Sequence, residues 1–196
     1  EYRLTRQQHW PPEWLSFYIW YGGLTLGIDI RDGELDSPKE IERILKRNGL
    51  TTNKRYGQNF LVNADARRRI VDALAIQGGE TVWEIGAGIG SLTTKLSREE
   101  IRLVAFEIDH GFVRLLQEMF SEDKNITIVE GDFIKTWHLI RETIGDPDII
   151  VGNLPYNSAA AIFLSLIEGG VSPRRMVCTV QKEAAARMTA SPGSSD

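Results

Sequence analysis

Two short segments hold residues whose types and spacing suit chemistry on a nucleoside-like ligand. The first, Glu84-Ile85-Gly86-Ala87-Gly88-Ile89-Gly90, follows the apolar run 81–85 and precedes a segment of helical character. Glycines so closely spaced let the main chain turn sharply and let a ligand approach the backbone. The dinucleotide fingerprint G-x-G-x-x-G needs glycine at position 91, but Ser91 stands there and the third glycine is Gly90. Glu107 closes the next apolar run about twenty residues further on, where a carboxylate can accept hydrogen bonds from both ribose hydroxyls of an adenosyl group. A plain strand-to-helix turn could also use these glycines, so the acid in register is what argues for a ligand. Gly131-Asp132 follows the third apolar run. Asp132 could accept from an adenine amino group, with Phe133 as an apolar wall beside it, or it could simply cap a helix.

The second segment is Gly152-Asn153-Leu154-Pro155-Tyr156-Asn157, placed after the fourth apolar run. An aromatic amine is a poor nucleophile because its lone pair is delocalised into the ring, so catalysis must favour a pyramidal nitrogen. Two acceptors can do this. The Asn153 side-chain oxygen and the Leu154 or Pro155 main-chain carbonyl could hold the two N–H groups while Tyr156 stacks on the base. Pro155 stiffens the turn. No strong general base is required, and positioning with electrostatics carries the step. Taken alone, such a tetrapeptide is an ordinary Asn/Pro turn; its place in a chain that already carries the loop and the acid points to amino-group methylation.

Elements that can position these residues are legible from residue 80 onward, where short apolar runs alternate with longer amphipathic segments. Strands are predicted at 81–85, 103–107, 126–129, 148–152 and 176–180. Helices are predicted near 91–97, 110–120, 135–144 and 159–168, with another beginning near Lys182. Right-handed crossovers then give an α/β, doubly wound, Rossmann-like fold. Upstream, Ser37 as N-cap, Pro38 at the first helical position and Glu40 at the capping-box position predict a helix with Ile41, Ile44 and Leu45 as its apolar stripe, stopping at Asn48-Gly49. Residues 1–36 read as an atypical aromatic-rich extension, with a short helix around 13–21, and residues 37–196 as the main domain.

The 196 residues, 42% of them apolar, suffice for one α/β core. A net charge of −4 advertises no polyanionic partner, so any nucleic-acid contact must come from a local basic face. Lys46, Arg47, Lys54 and Arg55, with Arg67 to Arg69, form such a candidate rim. The lone Cys178 excludes an internal disulfide, and His9, His110 and His138 are too scattered for a zinc site. No metal is expected, and a reducing, cytoplasmic setting fits. Cys178 and Trp83, both on predicted strands, read as core. The apolar stretch 14–28 is broken by three glycines and falls short of the ~20 residues that cross a bilayer.

Taken together, the motifs resemble the KsgA family, the adenine dimethyltransferases of small-subunit ribosomal RNA. The resemblance covers about 37–187 and rests on Lys54-Arg55-Tyr56-Gly57-Gln58-Asn59-Phe60-Leu61, the 84–90 loop in its E-x-G-x-G-x-G form, Glu107-Ile108-Asp109, Gly131-Asp132, Gly152 to Asn157, and Gln181-Lys182-Glu183. It implies a Rossmann-like methyltransferase domain that uses S-adenosyl-L-methionine. Gln58, Asn59, Leu61, Gly86, Gly88, Glu107, Asp132, Phe133 and Asn153 should then surround the methyl donor. Asn153, Leu154, Pro155 and Tyr156 should face the target adenine, and Lys54 and Arg55 the RNA. The implied reaction makes N6,N6-dimethyladenosine at two adjacent adenosines near the 3′ end of small-subunit rRNA, by a monomer acting on the immature subunit. Gly57 and Leu154 lean toward that branch rather than toward the related large-subunit enzymes of macrolide resistance. A ribosome-assembly factor acting mainly by binding is a further alternative. Ala87 stands where the family commonly has proline, and Ser158-Ala159-Ala160 replaces its Ile-Ser-Thr run. The domain is expected to be incomplete at its C-terminus, with the family's last strands and its small helical RNA-binding domain lying beyond Asp196.

Overall fold

A computed structural model describes residues 35, 37–51, 60–154 and 156–179. Five parallel strands form one sheet: β1 (Thr81–Ile85), β2 (Arg102–Glu107), β3 (Ile126–Glu130), β4 (Ile149–Asn153) and β5 (Arg175–Thr179), in the spatial order β3-β2-β1-β4-β5. Among the described residues six helices accompany them: α1 (Pro38–Arg47), α2 (Ala64–Leu74), α3 (Thr93–Leu96), α4 (His110–Met119), α5 (Phe133–Ile144) and α6 (Tyr156–Glu168). The chain runs outward from β1 to β3 and then returns to lay β4 on the opposite side of β1. This places a topological switch point between β1 and β4, where doubly wound sheets open a crevice at their carboxyl ends.

Alternation along the strands sorts side chains to the two faces. Trp83, Ile85, Val104, Phe106 and Ile150 pack with Phe133 and Trp137 of α5 and with Ile162 and Leu166 of α6. Their neighbours Val82, Leu103, Ile149 and Val151 turn the other way, onto Ile70 and Leu74 of α2 and onto Leu92 and Leu96 around α3. Beyond these, Ile41, Ile44 and Leu45 of α1 join Phe112 and Leu115 of α4, together with Leu35. Cys178 lies half-buried against the first core, and desolvation pushes its thiol up to about 12, which makes it packing rather than a nucleophile.

The predicted strands and the helices flanking them form within a few residues of their expected bounds. α6 starts earlier than expected, at Tyr156, directly after the Asn153 turn. The predicted capping box does not form. Ser37 has extended N-cap geometry without a side-chain cap, and Glu40 pairs with Arg43 instead of reaching back. Helix α2 escaped the sequence reading, although Asn63 signals its start by accepting from the Ala66 N–H at 2.9 Å. The short helices predicted near 13–21 and from Lys182, and the last residue of the fifth predicted strand, lie outside the described residues.

One glycine lets β4 pair closely with β1. A Cβ on Gly152 would stand 2.7 Å from the Ile85 carbonyl oxygen and 3.0 Å from Leu154 Cδ2, so any side chain would push β4 off β1. We expect Gly152→Ala to destabilise the protein by about 1–3 kcal/mol, read as a lowered urea midpoint with unchanged slope. An unaltered midpoint would mean that the strands can part freely.

Candidate active site

The loop after β1 turns through three left-handed glycines, Gly86, Gly88 and Gly90, with φ of 76°, 58° and 85°. Residues bearing a Cβ rarely adopt such angles. The loop is tied to β2 at its first two residues, where the Gly86 and Ala87 N–H groups both donate to the Phe106 carbonyl at 2.9 and 3.0 Å. Among the described residues, nothing beyond its own chain neighbours comes within 4 Å of the place where a Cβ on Gly86 would stand.

Glu107 anchors this end of the sheet. Its Oε2 accepts from the Gly88 N–H at 2.6 Å, and its Oε1 accepts from the Ile108 and Asp109 N–H groups at 2.9 Å each. Its carbonyl oxygen takes the Gly131 N–H at 2.9 Å, so the loops after β1, β2 and β3 converge on this one residue. Only 5% of Glu107 is exposed. Burial outweighs the three N–H donors and raises the carboxyl above its ordinary range, with the nearby Asp109 charge adding to the effect. An ionised carboxylate offers about four acceptor positions, so room remains for a hydroxyl.

A second acid lies beneath it. Glu84 on β1 is fully enclosed and accepts from Thr93 Oγ1 at 2.7 Å. Desolvation pushes its carboxyl up to about 7, against the pull of the Thr93 bonds and helped by the charge of Glu107.

Asp132 is the N-cap of α5, its Oδ1 accepting from the Ile134 N–H at 3.1 Å. Capping engages one carboxylate oxygen and leaves the residue half-buried beside Gly131. The Phe133 ring is part of the core, in T-shaped contact with Phe106 at 4.9 Å and with Trp83 at 6.3 Å between centroids, and little of it is exposed.

Asn153 ends β4, next to the loop strand β1. Its Oδ1 accepts from the Thr179 hydroxyl at 2.6 Å, and the following Leu154 N–H donates to the Thr179 carbonyl at 2.9 Å. The Leu154 side chain is buried in the first core, which fixes the peptide that follows Asn153. Pro155, Gln58, Asn59, Lys54 and Arg55 lie outside the described residues, and for Tyr156 it is the helical backbone that is described. Leu61 is half-buried against the second core, and its carbonyl accepts from Arg67 at 2.9 Å.

That bond corrects the expected basic rim. Arg67 is not on it: the residue is buried, spending its Nη1 on the Leu35 and Leu61 carbonyls. The reason is periodicity, since Arg67, Ile70 and Leu74 share the buried stripe of α2. Arg68 does face solvent, paired with Asp65, as do Lys46 and Arg47 at the end of α1. Sequence reasoning also missed Glu84 and Thr179 as site residues. Glu84 could have been flagged as an acid inside an apolar strand, whereas nothing in the sequence announces Thr179. Among the described residues no helix is long and apolar enough to cross a membrane, and no three His, Cys, Asp or Glu side chains gather as metal ligands.

A parallel sheet in this order, with a three-glycine loop and an acid converging at its switch point, is the Rossmann-like fold of the methyltransferase class. The profile described as ribosomal RNA adenine dimethylase matches residues 49–196, and the chain belongs to that family. A relative from Treponema denticola, called ribosomal RNA small subunit methyltransferase A, is 43% identical over 162 residues, covering 81% of this chain and 55% of the relative. The chain thus spans about half the length of that protein. Among solved structures, a dimethyladenosine transferase from Plasmodium falciparum is similar with a TM-score of 0.55 and 28% identity, over 67% of this chain and 46% of the other. The 23S rRNA methyltransferase ErmE is similar with a TM-score of 0.54 and 26% identity, over 67% and 51%.

Proposed function

We propose that the protein methylates the N6 amino group of two adjacent adenosines near the 3′ end of small-subunit rRNA, using S-adenosyl-L-methionine, with residues 37–196 as its catalytic unit. The observation that carries this reading is the convergence of the Gly86–Gly90 loop on Glu107. That loop follows β1, which pairs with β2 on one side and on the other with β4, the strand that ends at Asn153. Support for the RNA target comes from the name of the Treponema denticola relative and from the family description. A substrate of this kind belongs to the cytoplasm, where small subunits mature.

The donor pocket is assigned to Gly86, Gly88, Glu107, Asp132 and Phe133, completed by Gln58, Asn59, Leu61 and Asn153. The clearance beside Gly86 among the described residues and the acceptor position left on Glu107 fit an adenosyl group that bonds Glu107 through one ribose hydroxyl. When bound, S-adenosyl-L-methionine supplies an electrophilic methyl group. The protein's task is to present the amine. In this reading the Asn153 carboxamide oxygen and the main-chain carbonyl of Leu154 or Pro155 accept the two N–H groups and draw the lone pair out of the ring plane. Tyr156 stacks on the base, and Lys54 and Arg55 neutralise phosphates, with the exposed Lys46, Arg47 and Arg68 available for the same work. The proton shed by the methylated nitrogen passes to solvent.

The reading is tested by incubating full-length protein with labelled S-adenosyl-L-methionine and small subunits lacking the modification, then mapping the methylated adenosines. Two dimethylated neighbours near the 3′ end are expected. In parallel, calorimetry should show S-adenosylhomocysteine binding that Glu107→Ala weakens by about 10-fold to 100-fold, the range for losing a charged hydrogen-bond acceptor. Label found only in large-subunit RNA, or no binding by the wild type, would reject the assignment.

A further inference from the structure

Resting on the reading above, we infer that Thr179 is a positioning residue for the Asn153 carboxamide. Thr179 is the last residue of β5, the outermost strand on this side of the sheet among the described residues, and stands in register opposite Asn153. It grips the turn from two atoms. Its carbonyl takes the Leu154 N–H at 2.9 Å, and its hydroxyl donates to Asn153 Oδ1 at 2.6 Å.

The two grips do different work. The main-chain bond continues the sheet by one residue past β4, and any residue at 179 could make it. The side-chain bond depends on the hydroxyl. A carboxamide rotates about its last bond between two orientations of nearly equal shape, in which the oxygen and the NH2 group exchange places. An amine N–H must meet the oxygen, because an NH2 group in its place repels it. A donor fixed to the end of the neighbouring strand restricts that rotation, and a carboxamide oxygen with two lone pairs can accept from Thr179 and from an amine. Donation by the hydroxyl slightly weakens the oxygen as an acceptor. Alignment dominates, since misplacing a reacting group by about 1 Å can cost on the order of 100-fold in rate.

The test uses Thr179→Val, which keeps shape and removes the hydroxyl, and Thr179→Ser, which restores it, in full-length protein. Thr179→Val should lower kcat by about 10-fold to 100-fold while S-adenosylhomocysteine affinity stays within about threefold, and Thr179→Ser should recover to within about threefold. In an Asn153→Ala background Thr179→Val should cost nothing further, because the group it aligns is gone. The hold is also read without activity, by the 15N-NMR signals of the Asn153 side-chain NH2, assigned by their loss in Asn153→Ala. They should shift or broaden in Thr179→Val and return in Thr179→Ser. Full kcat in Thr179→Val, or NH2 signals indifferent to residue 179, overturns the inference, whereas a wild type that neither transfers methyl groups nor binds the donor product overturns the function and leaves the NMR comparison to judge the hold.

Discussion

Asn153→Ala is expected to lower the rate of methyl transfer by about 100-fold to 1,000-fold, the scale reported by removal of one preorganised group that acts in the transition state. The adenine nitrogen must leave conjugation before it can attack, and an acceptor out of the ring plane stabilises that geometry more in the transition state than in the ground state. Loss should therefore fall on kcat, with KM for RNA changed by only a few-fold. Folding should survive. Asn153 is at the end of β4, and alanine there leaves the Thr179 hydroxyl without this acceptor, a cost of about 1–3 kcal/mol. Single-turnover assays beside urea unfolding separate the two effects. A variant that folds and keeps near-normal kcat would show that the turn after β4 does not hold the amine.

The second large effect concerns Glu84 and stability against pH. Its carboxyl is raised from 4.5 to about 7 by burial, so the folded state prefers it protonated. An unfolded chain releases that proton near 4.5, and the folded chain keeps it until about 7. Between these values the folded state binds more protons, so stability falls as pH rises. The contribution is whole below about 4.5, is lost through about 7, and is constant above. Over that window the loss is about 3 kcal/mol. Glu107, raised in the same direction, adds to the trend. Glu84→Gln isolates the group, since its NH2 can donate to Thr93 Oγ1 and it carries no charge at any pH. We expect the stability of the variant relative to the wild type to climb by about 3 kcal/mol from pH 4.5 to 8, measured by urea unfolding in parallel buffers. A difference that is flat with pH would mean that Glu84 stays ionised in the core.

The sheet was legible from residue 80 onward because short apolar runs alternate with longer amphipathic segments. The runs are continuous because both faces are buried, Trp83, Ile85, Val104 and Phe106 in one core and Val82 and Leu103 in the other. The glycine loop was equally legible, since three left-handed turns admit little else. Helix α2 was obscured because Arg67 occupies a core position that a polarity pattern assigns to solvent. The carbonyls of Leu35 and Leu61, brought in from two other segments, help make its burial tolerable. The capping box at Ser37 failed for a similar reason: Glu40 has a nearer, charged partner in Arg43.

By itself the sequence determined the local matters: which runs become strands, where the chain bends through glycine, and which family its motifs resemble. Such features depend on neighbours a few residues apart. Tertiary structure alone decided that three loops meet on Glu107, that Glu84 is sealed beside it, and that Thr179 reaches Asn153. Parallel strands are joined by long crossovers, so the partner of a strand's last residue is set by register across the sheet and leaves no trace in local spacing.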